Sequence, residues 1–204
     1  MISCFKGKFK VTSGYRTPER PDHNGLDLVG LEDKNIYAPC DGIIGASGIV
    51  TNKNDITWEW GNFVRLDVAD GHSIYMCHMA SRAVTKGQKV KKGDKLGVMG
   101  YTGYVLPTGP GGTHTHFEVR KTATNKAVNP CDYSGIPNKT GTYESRVLLE
   151  NGNDILWELM NNPKYKVEIT EVQRAIRAID KAKDNSEFMS LYWILHKLVN
   201  GNVT

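Results

Sequence analysis

The chain has 204 residues, enough for one medium domain with or without a small appendage. Its balance of 39% apolar and 24% charged residues, with 21 glycines, is that of a water-soluble, turn-rich globule. No apolar run approaches the ~20 residues that cross a bilayer, so membrane insertion is not expected. The net charge of +4 comes without a basic arm or an aromatic–basic stripe, which argues against nucleic acid and is compatible with an anionic polymer.

The start, Met1-Ile2-Ser3-Cys4-Phe5-Lys6, has no apolar leader core or cleavage site, so no signal peptide is expected. Cysteines stand at 4, 40, 77 and 131, with no C-x-x-C pair. They read as reduced, small apolar residues rather than a zinc finger or redox motif.

Taken in order, residues 8–17 predict a short strand entering a turn, and residues 18–24 a polar, proline-containing loop. His23-Asn24-Gly25-Leu26-Asp27 follows. A helix is rejected there because Gly25 is central and helical periodicity is missing. A straight strand would hold His23 and Asp27 about 13 Å apart. The two side chains can share one ion only if the backbone bends, and Gly25 is expected to allow that bend.

Residues 35–50 predict a strand, an Asp41-Gly42 turn and a second strand. Residues 62–69 alternate with period two. Asp70-Gly71 is a hairpin turn, and Ser73 to Met79 is the returning strand, with His78 expected opposite Cys77. Residues 84–100 predict a turn-rich pair of short strands, and residues 101–113 a Gly/Pro/Thr loop.

That loop delivers Gly112-Thr113-His114-Thr115-His116-Phe117-Glu118-Val119. On a strand His114 and His116 share one side, while Phe117 and Val119 take the core side. No helix is expected before about residue 143. Beyond it the pattern becomes helical, with a capping-box form at Thr170-Glu171-Val172-Gln173 and a last helix bearing Phe188, Leu191, Tyr192, Leu195 and Leu198. The expected organisation is a mostly β domain over 1–142 and a small helical region over 143–204. The latter is too small for a comfortable core of its own and is expected to pack on the first domain or on another protein.

Three protein ligands and one open position make a catalytic zinc site. His23, Asp27 and His116 can supply such a set. No H-E-x-x-H helix provides a glutamate base, which leaves His78 and His114 as the groups able to exchange protons near neutral pH.

Four features together resemble the lysostaphin/LytM-type zinc peptidases, peptidase family M23. They are His23-x-Gly25-x-Asp27; Tyr75-Met76-Cys77-His78-Met79; Val90-Lys91-Lys92-Gly93-Asp94-Lys95-Leu96-Gly97 with Gly100-Tyr101-Thr102-Gly103; and His114-x-His116-Phe117-Glu118-Val119. Ser13-Gly14-Tyr15-Arg16 is similar to the family's opening segment. The resemblance covers about the first 135 residues and implies an antiparallel sheet with an open groove. It makes His23, Asp27 and His116 the zinc ligands, and His78 and His114 the pair that handles the attacking water. It also implies peptidoglycan as the substrate. Thr113 and Thr115 depart from the expected pattern, which bears on subsite shape rather than the metal.

Bland readings stand beside these. His72 and His196 read as ordinary histidines. Tyr15 reads as a packing residue before it reads as a hydroxyl donor to an oxyanion. The Lys86–Lys95 run reads as a solvated turn. A non-catalytic wall-binding or activator module with the same fold is the alternative function. A biotinyl/lipoyl-type carrier ranks last, because the lysine lacks its hairpin context. A wall-cutting domain without a leader points to a phage lysin or virion-associated enzyme, whose helical region could dock on a second copy or a virion protein.

Overall fold

The structure, a computed structural model, describes residues 3–55 and 58–145. They form eleven strands: β1 (Gly7–Ser13), β2 (Leu26–Gly30), β3 (Asn35–Tyr37), β4 (Gly42–Val50), β5 (Gly61–Asp67), β6 (His72–Arg82), β7 (Lys89–Val90), β8 (Lys95–Met99), β9 (Thr115–Lys121), β10 (Lys126–Val128) and β11 (Gly141–Ser145). All pairings are antiparallel, in the order β11-β1-β2-β9-β6-β5-β4-β7. The fold is the expected mostly β antiparallel sheet. β10 lies beside β9, and β8 joins β3 to the far end of β6.

Alternation puts Phe9, Val11, Leu26, Leu28, Ile74, Met76, Phe117 and Val119 into one core. Each such burial contributes roughly 1.5–3 kcal/mol. The strands that carry it, β1, β2, β9 and β6, are successive neighbours, so the site is built on strands whose other face is in the core.

Several local expectations are corrected. β3 and β4 flank the Asp41-Gly42 turn but do not pair, since β3 pairs with β8 and β4 with β5 and β7. The two short strands of 84–100 likewise find separate partners. A helix exists before residue 143: α1 (Pro130–Ser134). Its signals were local, with the Asn129 side chain capping Cys131 N–H at 3.0 Å, Pro130 at the first position and Gly135 left-handed at the end. Residues 143–145 belong to β11, paired with β1. The helices expected further on lie outside the described residues.

Candidate metal centre

β2 and β9 are neighbours in a register that sets Asp27 directly against His116. Cross-strand partners on one face lie within side-chain reach, and Asp27 Oδ1 is 3.1 Å from His116 Nδ1. His23 arrives from the loop before β2. That loop is pinned by Arg16 N–H on the His23 carbonyl at 2.9 Å and by His23 N–H on the Arg20 carbonyl at 3.1 Å. His23 Nε2 then lies 3.0 Å from Asp27 Oδ1 and 3.1 Å from His116 Nδ1. One ligand atom from each of the three lies within 4.8 Å of the others.

Gly25 lies at a bend just before β2, as expected, and it serves the convergence in a second way. A Cβ there would stand 2.6 Å from His116 Cε1 and 2.7 Å from both His116 Nε2 and the Phe117 carbonyl oxygen. The glycine thus also leaves room for the His116 ring, and its bend is made without a left-handed backbone.

His78 reaches the site through a bulge. Asn62 pairs with Met79 and Val64 with Met76, so Cys77 and His78 together oppose Phe63 alone. His78 takes a left-handed backbone, φ 61°, which a non-glycine residue adopts only at a cost. Met76 and Met79 remain in the core on either side. The expectation that Cys77 and His78 simply alternate faces fails, because a period-two reading cannot see an inserted residue. The His78 ring packs 4.8 Å from the His114 ring, centroid to centroid. His114 Nε2 is 3.5 Å from Asp27 Oδ1. The five predicted side chains therefore share one locality.

Backbone carbonyls settle three tautomers. His23 Nδ1–H donates to the Gly14 carbonyl (2.6 Å), His78 Nδ1–H to that of Thr102 (2.8 Å) and His114 Nδ1–H to that of Gly112 (2.7 Å). A carbonyl only accepts, so each neutral ring presents a bare Nε2. Burial, reinforced by the neighbouring His114, pushes His78 down to about 4. Burial also lowers His114, outweighing Asp27. Both rings are thus neutral at physiological pH. Burial alone would raise the Asp27 carboxyl, but hydrogen bonds from His116 and His23 hold it well below its usual range. His116 is raised to about 9, because Asp27 and Glu118 outweigh its desolvation.

Two imidazoles and one carboxylate around one point, with no thiol among them, suit zinc with a position left open. The fit is supported by the pinned His23 ring, whose bare nitrogen faces Asp27 and His116.

Three contributors were missed in the sequence. Arg20 Nη1 binds the second Asp27 oxygen, Oδ2, at 2.8 Å, leaving Oδ1 to face the histidines. Glu118 and Arg120, both buried, pair at 2.8 Å beneath His116. Arg20 had a signal, three residues before His23, but nothing local said where it turned. Tyr15 packs against the core and under Arg16, and it lines neither cavity at the site.

Two cavities flank the cluster. The larger, about 840 Å³, runs between Arg16–Asn24 and Trp58/Trp60 over His116 and Glu118. The smaller, about 350 Å³, lies over His78 and His114 under Tyr104, Val105 and Leu106. His23 and His116 line both cavities, so the two meet at the cluster.

A buried His/Asp cluster in an open trough on an antiparallel sheet has the form of a metallopeptidase centre. Residues 21–130, over half of the chain, match the description of peptidase family M23, and the chain belongs to that family. Among curated proteins it is 31% identical over 97 residues to peptidoglycan DD-endopeptidase ShyA of Vibrio cholerae, covering 48% of this chain and 20% of that protein. It is 30% identical over 150 residues to ShyB of the same organism, covering 68% and 32%. It is 29% identical over 111 residues to the murein hydrolase activator NlpD of Escherichia coli, covering 54% and 26%. The chain thus spans about a fifth to a third of the length of these relatives. Among solved structures, lysostaphin from Staphylococcus simulans is 24% identical with a TM-score of 0.49, covering 62% of this chain and 48% of that one. The catalytic domain of the prophage-encoded M23 protein EnpA from Enterococcus faecalis is 25% identical with a TM-score of 0.48, covering 62% and 91%.

Proposed function

We propose that this chain is a zinc-dependent endopeptidase that hydrolyses peptide bonds in bacterial peptidoglycan, with His23, Asp27 and His116 as metal ligands. The observation that carries the reading is the convergence of five side chains on one spot between two clefts, three with their outer nitrogen tied to a backbone carbonyl. A zinc ion held there would polarise the scissile carbonyl and make its bound water acidic enough to react near pH 7. The protein residues handle the protons. His78 and His114 are neutral and present bare Nε2 atoms, so one can take the proton from the attacking water and the pair can return it to the leaving amine. Their Nδ1–H bonds to Thr102 and Gly112 hold both rings in that orientation. Peptide plus water gives one carboxylate and one ammonium: both protons of the water end on the leaving nitrogen, and the histidine pair returns to its neutral state.

Peptidoglycan as substrate is supported by family membership and by similarity to the peptidoglycan DD-endopeptidases ShyA and ShyB. A second reading, a non-catalytic activator, is favoured by the similarity to NlpD. Against it stands the complete set of five residues in this chain. The deciding experiment incubates the purified chain with peptidoglycans of different cross-bridge chemistry, with and without chelator, and identifies new peptide ends by mass spectrometry. Chelator-sensitive release of new amines supports the endopeptidase. No new ends, together with stimulation of an added murein hydrolase, supports the activator. The setting proposed is that of a phage lysin or a virion-associated wall-degrading enzyme, and immunoblots of purified virions and of lysing cultures separate the two.

A further inference from the structure

His116 differs from the other three site histidines in how its ring is held. Theirs are pinned through Nδ1 by carbonyls and offer Nε2 to the site. His116 is turned the other way round: Nδ1 faces Asp27 and His23, and Nε2 points outward. This follows from its place on β9, because a residue directly opposite Asp27 brings its near nitrogen to the partner. Its outward nitrogen has little space on the Gly25 side, where even a methyl group would collide with the ring. A group that fixes it must come from elsewhere.

β9 supplies that group from its own row. Residues two apart share a face, so His116, Glu118 and Arg120 form a line. Glu118 divides its oxygens between its neighbours: Oε2 is 3.5 Å from His116 Nε2, and Oε1 accepts from Arg120 Nε at 2.8 Å. Glu118 is 1% exposed and Arg120 6%. Arg120 is enclosed by the rings of Trp58, Trp60 and Tyr75, 5.1 to 5.7 Å from their centroids, and its Nη1 reaches the Asn125 carbonyl at 3.4 Å. A buried ion pair is a poor device for stability alone, since desolvation offsets most of its attraction and an apolar pair would serve as well. One oxygen directed at a ligand histidine gives the pair a different purpose, because a carboxylate on the outer nitrogen fixes the tautomer and strengthens the ligand.

We propose that Glu118 and Arg120 are positioning residues for the metal centre: Glu118 takes the Nε2–H of His116, committing Nδ1 to the ligand set, and Arg120 holds Glu118 in place. The inference rests on His116 being a ligand. Because Trp58 and Trp60 wall the larger cleft as well as enclosing Arg120, one aromatic pair supports both the trough and the ligand beneath it.

The test uses the full chain. Zinc affinity is measured by competition with a chromophoric chelator, and the His116 ring nitrogens are assigned by long-range proton–nitrogen NMR with zinc absent and bound. The variants are Glu118→Gln, which keeps an acceptor without the charge, Glu118→Leu and Arg120→Leu. Expected are about a tenfold loss of zinc affinity for Glu118→Gln and nearer a hundredfold for Glu118→Leu, with Arg120→Leu between them. The wild-type spectrum should show a protonated Nε2 and a coordinating Nδ1, and Glu118→Leu should show a mixture of tautomers. If Glu118→Leu does not fold, the near-isosteric Glu118→Gln carries the test. Unchanged zinc affinity and an unchanged His116 spectrum in folded variants, with only a lower melting temperature, would overturn the inference while leaving the metal centre standing. A wild-type chain that binds zinc no better than its His116→Ala variant would overturn the ligand reading first, and the inference with it.

Discussion

The two faces of β9 are both buried, for opposite reasons. On one, Thr115, Phe117 and Val119 enter the core; on the other, His116, Glu118 and Arg120 lie under the cluster and the aromatic rings of Trp58 and Trp60. The apolar face needs only volume and tolerates repacking. The polar face needs a partner for each atom, and those partners come partly from its own row and partly from elsewhere: Asp27 from β2, His23 from a loop, the tryptophans from the segment before β5. A strand with one such face holds its charged groups in fixed positions, because its other face anchors the backbone in the core.

Breaking the polar face at its centre should have the largest effect. His116→Ala or Asp27→Ala is expected to abolish zinc binding and reduce hydrolysis of peptidoglycan to background, while urea unfolding remains cooperative. Breaking the apolar face should do the reverse. Phe117→Ala is expected to cost about 3–5 kcal/mol of stability in urea titrations. The folded fraction should keep its zinc affinity; a large loss there would mean that the faces are not separable.

Gly25→Ala sharpens the comparison, because the added methyl meets the His116 ring and the Phe117 carbonyl at 2.6 to 2.7 Å. A cost of roughly 1–3 kcal/mol is expected, with weaker zinc binding. Full zinc affinity in this variant would show that the ring has somewhere else to go.

In chelator, stability should peak near pH 6.5. Folded His116 holds its proton to about 9 against an ordinary 6.5, so its contribution is complete below 6.5 and is lost as pH rises through 9. Folded His78 resists protonation until about 4, so the unfolded chain gains the extra proton first and stability falls from pH 6.5 toward 4. Urea midpoints at three pH values check both limbs; a flat profile contradicts them.

The smallest effect is expected for Tyr15→Phe. The Tyr15 ring packs and lines neither cavity, so hydrolysis should change by less than about twofold.

Much of this was legible in the sequence. Alternation located β1, β5, β6 and β9 and their core residues, and the two histidine motifs named the cluster. Hidden features depended on non-local pairing or on one inserted residue. Asp41-Gly42 suggests a hairpin, yet β3 is drawn to β8. The bulge at Cys77-His78 breaks a period that the residues themselves obey. Nothing in the sequence says that Trp58 and Trp60 enclose Arg120, so the Glu118–Arg120 pair had no local signal. Gly25 lies at the bend that its motif suggests, but its second reason, a ring from a strand 91 positions away, has no local signal.

The most direct measurement is mass spectrometry of peptidoglycan after digestion by the purified chain, run as supplied, in chelator, and in chelator with zinc restored. New peptide amines that vanish in chelator, return with zinc and never form with His116→Ala are expected. Release that persists in chelator, or in the His116→Ala chain, would contradict the assignment of this cluster as the hydrolytic metal centre.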